Sequence, residues 1–248
     1  MLFVSRAVRD AHLSANHRGP AQVIYNGVED VADDRRYKPY GAEMRRTLGL
    51  PPDALVLAYV AEFSPGKDHP TAIKAIHELA RRQVNAHLLL IGTGENMESA
   101  RALAARGPAA GRIHFLGARC DVRRIFGIVD IYLHPGREEG FGLAVAEAML
   151  AGLPLAGARE GALTELIESG KTGVLFNPGD ALDLADSVVF LAADRDRARR
   201  IGTAAREFCL QKFDVDNFAD AITRFLEDCF APALGRRRGE PQTAGARG

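Results

Sequence analysis

Hydrophobic positions in this chain come in short runs separated by segments in which apolar and polar residues alternate at helical spacing. Between these runs, Ile73, Ile76 and Leu79 show the spacing of one helix face. Runs long enough for buried strands occupy residues 55–60, 87–91, 113–116, 131–133, 153–156 and 173–176. This alternation predicts an α/β domain with a mainly parallel, Rossmann-like sheet and helices on both faces.

The helices of this domain can be placed from their start signals and their periodicity. Asp68 and Pro70, after a Ser-Pro-Gly turn, begin the first helix. Further helices are predicted at 97–105, 122–128, after Gly142, at 163–167, 181–193, 195–211 and 215–230. A glycine begins the run at 173–176, which indicates an edge strand.

Both ends of the chain differ from the alternating unit. Residues 1–30 contain a helix-like segment and a predicted strand at 22–25, and residues 31–52 are charged and contain proline, as expected of a linker. The main domain is predicted at 53–230. The tail 231–248 is polar and includes three consecutive arginines, which predicts disorder.

Composition narrows the function classes. The net charge is zero, which argues against a nucleic-acid binder held by phosphate contacts. The three cysteines form no CxxC pair and are interpreted as reduced thiols of a cytoplasmic protein. Neither a signal peptide nor a run of about 20 apolar residues is present, so contact with the inner face of a membrane stays open only as peripheral attachment.

Two carboxylates, Glu139 and Glu147, stand on either side of the turn Gly140-Phe141-Gly142. If the whole interval were helical, the two side chains would be about 12 Å apart along the axis and about 80° apart around it. One carboxylate could then meet a sugar and the other a ribose. The helix predicted to begin at Leu143 would offer unpaired amides to a diphosphate lying between them.

Other candidate residues follow neighbouring strands. Lys67 can reach a diphosphate as a point charge, and Arg119 lies in a loop that could pass beside a nucleobase. Gly92 and Gly94 form a tight strand-to-helix turn, and the position of a third fingerprint glycine holds Met97. Because the carboxyl ends of parallel strands share one edge of a sheet, these loops should meet there.

The remaining chemistry is sparse. His134 follows a predicted strand and could either face a ligand or serve a structural role. Together with Cys120 it makes no metal-ligand set, and no Gly-x-Ser-x-Gly nucleophile motif occurs.

From about residue 4 to residue 230 the chain resembles the carboxyl-terminal, donor-binding half of retaining glycosyltransferases of family 4, which have the GT-B fold. The motifs that carry the resemblance are Val4–Val8, Val23–Val28, Lys67, Ile91–Gly94, Phe115–Gly117, the Glu139–Glu147 segment and Glu165–Gly173. It implies that Glu139 bonds the donor sugar and supports the transition state, that Glu147 bonds the ribose, and that Lys67 binds the diphosphate. It also implies donor contacts from the amides at Phe141–Leu143, a UDP- or GDP-linked sugar as donor, and no required metal.

Two departures from the family pattern stand out. The family commonly has Gly-Arg five residues before the lysine, whereas Ala61-Glu62 occupies these positions here. A carboxylate there would repel a diphosphate unless Arg119 or Arg137 compensates. The second departure is that residues 1–30 correspond only to the last helix and strand of the amino-terminal, acceptor-binding domain, without their sheet.

The function expected from these features is sugar transfer from a nucleotide sugar to a glycan or glycolipid acceptor with retention of anomeric configuration, in polysaccharide or glycolipid biosynthesis. This chain would supply the donor-binding half, and a complementary amino-terminal domain or subunit would be its partner. A non-catalytic nucleotide-sugar-binding module or a subunit of a split enzyme is the alternative. A nucleotide-dependent oxidoreductase, an epimerase and a phosphorylase are less favoured.

Overall fold

The computed structural model describes residues 1–14, 17–19, 21–30 and 41–237. A six-stranded, fully parallel sheet forms the centre of the main domain, in the order β5-β4-β3-β6-β7-β8. Its strands are β3 (Leu55–Val60), β4 (Ala86–Ile91), β5 (Ile113–Gly117), β6 (Ile131–His134), β7 (Leu155–Ala158) and β8 (Val174–Phe176). The predicted α/β Rossmann-like class is confirmed.

The predicted strands agree with these bounds, with one displacement. β7 begins two residues later than the apolar run at 153–156, because Pro154 has no N–H to donate and takes part only through its carbonyl, which accepts from Tyr132 N at 2.9 Å. β8 lies at the sheet edge, as its glycine indicated. β4 and β6 are buried along their whole length, as expected for strands covered on both faces.

Helices connect consecutive strands of the sheet. They are α3 (His69–Arg81), α4 (Met97–Ala104), α5 (Val122–Phe126), α6 (Leu143–Leu150) and α7 (Leu163–Leu166), followed by α8 (Ala181–Ala192), α9 (Arg195–Lys212) and α10 (Val215–Arg237). From β3 the chain moves through α3 to one side, and from β6 it moves through α6 to the other. Because such crossovers are right-handed, α3 and α6 cover opposite faces, where they pack against α8 and α9 respectively.

The amino-terminal segment has a small sheet of its own and docks on the main domain. β1 (Leu2–Phe3) pairs in parallel with β2 (Gln22–Val23), and α1 (Arg6–His12) lies between them in sequence. The predicted strand at 22–25 is therefore shorter than expected. The two-residue strand β1 was not predicted from the sequence, and the assignment of residues 1–30 to the end of an amino-terminal domain stays a prediction.

The carboxylate of Glu165 accepts several hydrogen bonds from this segment. Its oxygens accept hydrogen bonds from Tyr25 Oη at 2.7 Å, from Ala7 N at 2.9 Å, and from Arg6 through N and Nε at 3.2 and 3.1 Å. Burial raises the pKa of Glu165, but the donors from Tyr25, Ala7 and Arg6 outweigh it and lower the pKa below its ordinary value. The ionised carboxylate also lies at the amino-terminal end of α1, which favours negative charge.

Two predictions about irregular segments need correction. The predicted linker 31–52 contains α2 (Gly41–Thr47), where Ala42, Glu43 and Met44 favour a helix. Residues 31–40 lie outside the described residues. The tail was predicted to be disordered from residue 231, but α10 continues to Arg237 through Ala- and Leu-containing sequence, and the rest of the tail lies outside the described residues.

Candidate functional site

The strand order creates a crevice between β3 and β6. These strands are neighbours in the sheet, yet the chain leaves them in opposite directions, so no crossover covers the gap between their carboxyl ends. The loop after β3 carries Lys67 and the loop after β6 carries Glu139. The two loops are joined directly, since Gly66 O accepts from Arg137 N at 2.8 Å and from Glu138 N at 3.3 Å.

Glu139 is the centre of this junction. Its Oε2 accepts a hydrogen bond from Lys67 Nζ at 2.7 Å and lies 3.1 Å from His134 Nε2. The Glu139 side chain is 14% exposed. Burial raises its pKa, but the bonds from His134 and Lys67 together lower the pKa from 4.5 to about 2. Glu139 is therefore ionised across the physiological pH range.

Buried aromatic side chains support the two loops from below. Tyr59, at the end of β3, donates its hydroxyl to Lys67 O at 2.6 Å and packs edge-on against His134 with ring centroids 5.3 Å apart. His69 stacks on Phe63 at 3.9 Å. These contacts fix the backbone around Lys67, so the position of its ammonium group depends on the torsions of its side chain alone.

The amino-terminal end of α6 opens toward the same place. Gly142 precedes the helix with φ of 95°, a left-handed conformation that favours glycine, and supplies no side-chain cap. The first bond within the helix runs from Ala146 N to Gly142 O, so the amides of Leu143 and Ala144 have no intrahelical partner. This arrangement can bind an anion.

Gly140 and Phe141 serve as the structural base of this turn. Phe141 is 3% exposed and packs edge-on against Phe213, with Tyr25 next to it. Its side chain therefore faces the core. A Cβ at Gly140 would lie 3.7 Å from Val8, which places this residue beside the docked amino-terminal segment.

Gly92 and Gly94 allow the loops after β3 and β4 to approach closely. Their φ values are 136° and 157°, and a Cβ on Gly92 would overlap Ala61 O. A Cβ on Gly94 would lie 2.5 Å from Phe63 O. Phe63 N donates to Thr93 O at 3.0 Å between the two glycines. Their shared requirement is backbone space, which agrees with the interpretation of a tight turn.

These loops enclose an open cleft of about 420 Å³, hereafter the carboxyl-edge cleft. Its lining residues are Val60, Ala61, Glu62, Lys67, Ile91, Gly92, Ala118, Arg119, Val122, His134, Glu139, Leu143 and Ala144. Five of the ten predicted site residues lie there, namely Lys67, Gly92, Arg119, Glu139 and Leu143. Gly94, Gly140, Phe141, Gly142 and Glu147 do not line it.

Glu147 lies on the second turn of α6. The helix begins at Leu143, as predicted, so Glu139 is outside it and the separation calculated for a fully helical interval does not apply. Glu147 is half-buried and borders a small recess with Arg123 and Arg206. It is three residues beyond Ala144 and hence on the same helix face as this cleft residue. Its predicted contact with a ribose stays a prediction.

The arginines expected to compensate Glu62 are both engaged elsewhere. Arg119 forms two bonds with Asp121 at 2.8 and 2.7 Å, and Arg137 donates to Glu160 at 3.0 Å. Arg119 lines the cleft, whereas Arg137 does not. Glu62 is exposed on the cleft wall. The cleft thus contains two carboxylates, one lysine and one arginine that is already paired.

A larger cavity of about 770 Å³ lies at the opposite, amino-terminal edge of the sheet. Its lining includes Leu55 and Ile131, at the starts of β3 and β6, and none of the predicted site residues. In an open parallel sheet, ligands bind at the carboxyl ends of the strands. The smaller cleft is therefore the candidate functional site.

Among residues 1–14, 17–19, 21–30 and 41–237, no three His, Cys, Asp or Glu side chains are grouped as metal ligands would be. Over the same ranges, no helix has the length and apolar character needed to cross a bilayer.

Comparisons with known proteins agree with this architecture. The chain is 28% identical over 207 residues to N-acetyl-alpha-D-glucosaminyl L-malate synthase of Bacillus anthracis, a match that covers 83% of this chain and 53% of that protein. It is 29% identical over 238 residues to the GDP-mannose-dependent alpha-(1-6)-phosphatidylinositol monomannoside mannosyltransferase of Mycobacterium tuberculosis, covering 90% of this chain and 60% of that protein.

A solved structure of a similar protein superposes on most of this chain. The crystal structure of Anabaena HepE in complex with UDP-glucose superposes with a TM-score of 0.82 at 26% identity, covering 92% of this chain and 63% of that one. The chain thus spans between half and two thirds of the length of these relatives. Residues 42–208 match the family model for glycosyl transferases group 1. The chain belongs to the group 1 glycosyl transferase family.

Proposed function

We propose that this chain binds a nucleotide sugar in the carboxyl-edge cleft and provides the donor half of a retaining glycosyltransferase site. The observation that carries the proposal is the convergence of Lys67, Glu139 and the unpaired amides of α6 at the switch point of the sheet. A nucleotide sugar has a diphosphate between a ribose and a hexose, and this cleft offers positive and negative groups a few ångströms apart.

The diphosphate is assigned to the amino-terminal end of α6 and to Lys67. The amides of Leu143 and Ala144 point along the helix axis toward the cleft, and the helix dipole favours negative charge there. Lys67 adds a full positive charge from the opposite loop. Together they would stabilise the nucleoside diphosphate as it leaves the sugar, without a metal ion.

The sugar is assigned to Glu139. An ionised carboxylate accepts hydrogen bonds from sugar hydroxyls, and its charge stabilises the positive charge that develops at the anomeric carbon. Glu147, one turn below Ala144, is assigned to the ribose. The nucleobase is assigned to the loop at Ala118 and Arg119, which forms the far wall of the cleft.

Retention of configuration follows from a transfer on one face of the sugar. The bond from the anomeric carbon to the diphosphate oxygen breaks, and the acceptor oxygen bonds the same carbon on the same side. The acceptor proton passes to the departing phosphate oxygen. This mechanism and a family 4 assignment rest on the family resemblance. The names of the relatives, which include a phosphatidylinositol mannoside mannosyltransferase, support a glycan or glycolipid acceptor.

Calorimetry with UDP, GDP and their glucose and mannose derivatives tests donor binding by this chain. We expect at least one diphosphate to bind, and its sugar derivative to bind more tightly. Glu139→Gln should keep or strengthen diphosphate binding, because Lys67 is released and one negative charge is removed. The variant should also lose the higher affinity of the sugar derivative over the diphosphate. A sugar gain that survives in this variant would exclude the assigned role of Glu139.

Transfer requires the acceptor half of the site, so turnover is measured with the longest natural form of the protein. NMR of the product should show the anomeric configuration of the donor. Inversion would contradict the proposed mechanism. Donor binding without transfer would favour a non-catalytic binding module or a subunit of a split enzyme.

A further inference from the structure

His134 is the last residue of β6 and its ring is almost wholly enclosed, with 3% of the side chain exposed. Its Nε2 lies 3.1 Å from Glu139 Oε2, the same oxygen that Lys67 contacts. Glu139 thus receives both of its described side-chain contacts on one oxygen. Oε1 has no protein hydrogen-bond partner among the described residues, and Glu139 lines the carboxyl-edge cleft.

The ring of His134 is held by packing. Tyr59 lies edge-on to it at 5.3 Å, and Tyr132 is tilted against it at 6.3 Å. A Cβ on Gly136 would lie 3.2 Å from Nε2, so glycine leaves the space that the ring edge needs. The imidazole therefore cannot turn away from Glu139 without displacing the core beneath the site.

The surroundings favour the neutral imidazole. Burial lowers the pKa of His134, the bond and charge of Glu139 raise it, and the positive charge of Lys67 lowers it again, with a net lowering. The other titratable groups near the ring are Tyr59 from β3, Tyr132 from β6 and His69 from α3, and the pKa of His69 is itself lowered to about 4.

A neutral imidazole has one ring proton, and a carboxylate can only accept. The proton therefore lies on Nε2, directed at Glu139. Nδ1 is the unprotonated nitrogen, and it has no hydrogen-bond partner within the described part of the chain.

Lys67 and His134 differ in what donor binding does to them. The proposed function, on which this inference rests, assigns Lys67 to the diphosphate, and its long, partly exposed side chain can carry the ammonium there. His134 cannot follow, because its ring is enclosed. Once Lys67 is drawn toward the diphosphate, His134 is the protein donor that still holds Glu139.

We propose that His134 is a positioning residue whose Nε2–H fixes the Glu139 carboxylate toward the donor sugar while Lys67 engages the diphosphate. Its contribution belongs to the sugar end of the site. The family comparison assigns no role to this position, and the sequence left it open between a ligand contact and a structural histidine.

Two substitutions separate the hydrogen bond from the packing. His134→Leu fills a similar volume without a donor, and His134→Gln places an amide N–H near the position of Nε2. The probes are UDP with UDP-glucose and GDP with GDP-mannose, measured by calorimetry. Because a bond to a buried charge is lost, we expect His134→Leu to reduce the affinity for the sugar derivative about tenfold or more and to leave diphosphate affinity unchanged. His134→Gln should recover most of the loss.

Tyr132→Phe, two residues away on β6, is the matched control and should leave the ratio of the two affinities unchanged. Equal weakening of the diphosphate and the sugar derivative by His134→Leu would show a structural role only and would overturn the inference. An unchanged ratio in His134→Leu would also overturn it.

A measurement without ligand distinguishes this inference from the proposed function. Nitrogen-15 NMR of the free protein should show that His134 is a neutral imidazole with its proton on Nε2. The nitrogen-15 resonances of His134 should shift in Glu139→Gln, because the carboxylate that accepts this proton is replaced. A charged ring or a proton on Nδ1 would contradict the role proposed for His134, even if nucleotide sugars bind. If the expected tautomer is found but calorimetry detects no binding of a diphosphate or a nucleotide sugar, the proposed function is wrong and not the contact between His134 and Glu139.

Discussion

Lys67 Nζ and Glu139 Oε2 are 2.7 Å apart, although 72 residues separate them in the chain and they lie on loops after different strands. The pair is only partly exposed, with 23% of the lysine and 14% of the glutamate side chain accessible. Each partner is assigned to a different part of the donor. In the free protein the two charged groups therefore pair with each other, and a diphosphate must compete with Glu139 for Lys67.

Lys67→Ala should weaken binding of nucleoside diphosphates by about 10- to 100-fold, the effect of losing a charge-assisted hydrogen bond. Removal of the lysine also leaves the charge of Glu139 uncompensated beside the diphosphate, which acts in the same direction. Calorimetry with UDP and GDP measures the change. Lys74→Ala, on the exposed face of α3, is the control. Unaltered affinity in the Lys67 variant would remove Lys67 from the diphosphate site.

The sequence was sufficient to place Lys67 and Glu139 at one edge of the sheet, because apolar runs locate the strands and parallel strands end at a common edge. It could not predict that the two side chains meet. Their contact depends on Tyr59 holding the carbonyl of Lys67 and on Gly66 O accepting two amides from the other loop. Such contacts between loops have no periodic signature.

The glutamate pair shows a second limit of sequence reasoning. The turn and the helix start at Leu143 could be predicted, but the separation of Glu139 and Glu147 could be calculated only for a fully helical interval, which the left-handed Gly142 interrupts. His134 shows a third. A histidine at a strand end can face either side of a sheet, and only the structure shows that it contacts Glu139.

Protein stability should decrease as the pH falls from 6.5 toward 4, and His69 should contribute to this decrease. Burial is the main cause, and electrostatic interactions with His134 and Lys67 add to it; together they lower the pKa of His69 from 6.5 to about 4. Between these values the unfolded chain binds a proton that the folded protein does not, so protonation favours unfolding. His69→Phe, which keeps the stacking on Phe63, should make the pH dependence shallower.

The expected difference is on the order of 2 kcal/mol in the free energy of unfolding between pH 6.5 and 5. Denaturant unfolding of the wild type and the variant at both pH values measures it. The other buried histidines act in the same direction in both proteins and cancel in the comparison. His12→Phe, on the exposed face of α1, is the control. If the free energy of unfolding depends on pH equally in the wild type and in His69→Phe, folding does not lower the pKa of His69.

Glu165→Ala should release the amino-terminal segment from the main domain. The substitution leaves Tyr25, Arg6 and Ala7 without their shared acceptor, and it removes a negative charge from the start of α1. We expect a loss of about 2 kcal/mol or more in stability, and faster hydrogen exchange in residues 1–14 and 21–30 than in the sheet.

Glu168→Ala provides the comparison for Glu165. Glu168 is 57% exposed and, within the described part of the chain, its side chain pairs only with Lys171, at 3.0 Å, so its removal should change stability by less than about 0.5 kcal/mol. Exchange in the amino-terminal segment should stay at the wild-type rate. Similar protection of this segment in Glu165→Ala and Glu168→Ala would show that apolar contacts, such as those of Tyr25 with Phe213, hold it instead.

Glu62→Gln should strengthen diphosphate binding, because Glu62 adds a negative charge to a cleft whose lining arginine, Arg119, is bonded to Asp121. Glu62 is exposed, so solvent screens its charge and the gain should be modest, about two- to fivefold at low salt and smaller at high salt. Glu95→Gln, exposed and outside the cleft lining, controls for the change in net charge. Weaker binding in Glu62→Gln would mean that Glu62 accepts a hydrogen bond from the donor, and this position would then belong to the binding site.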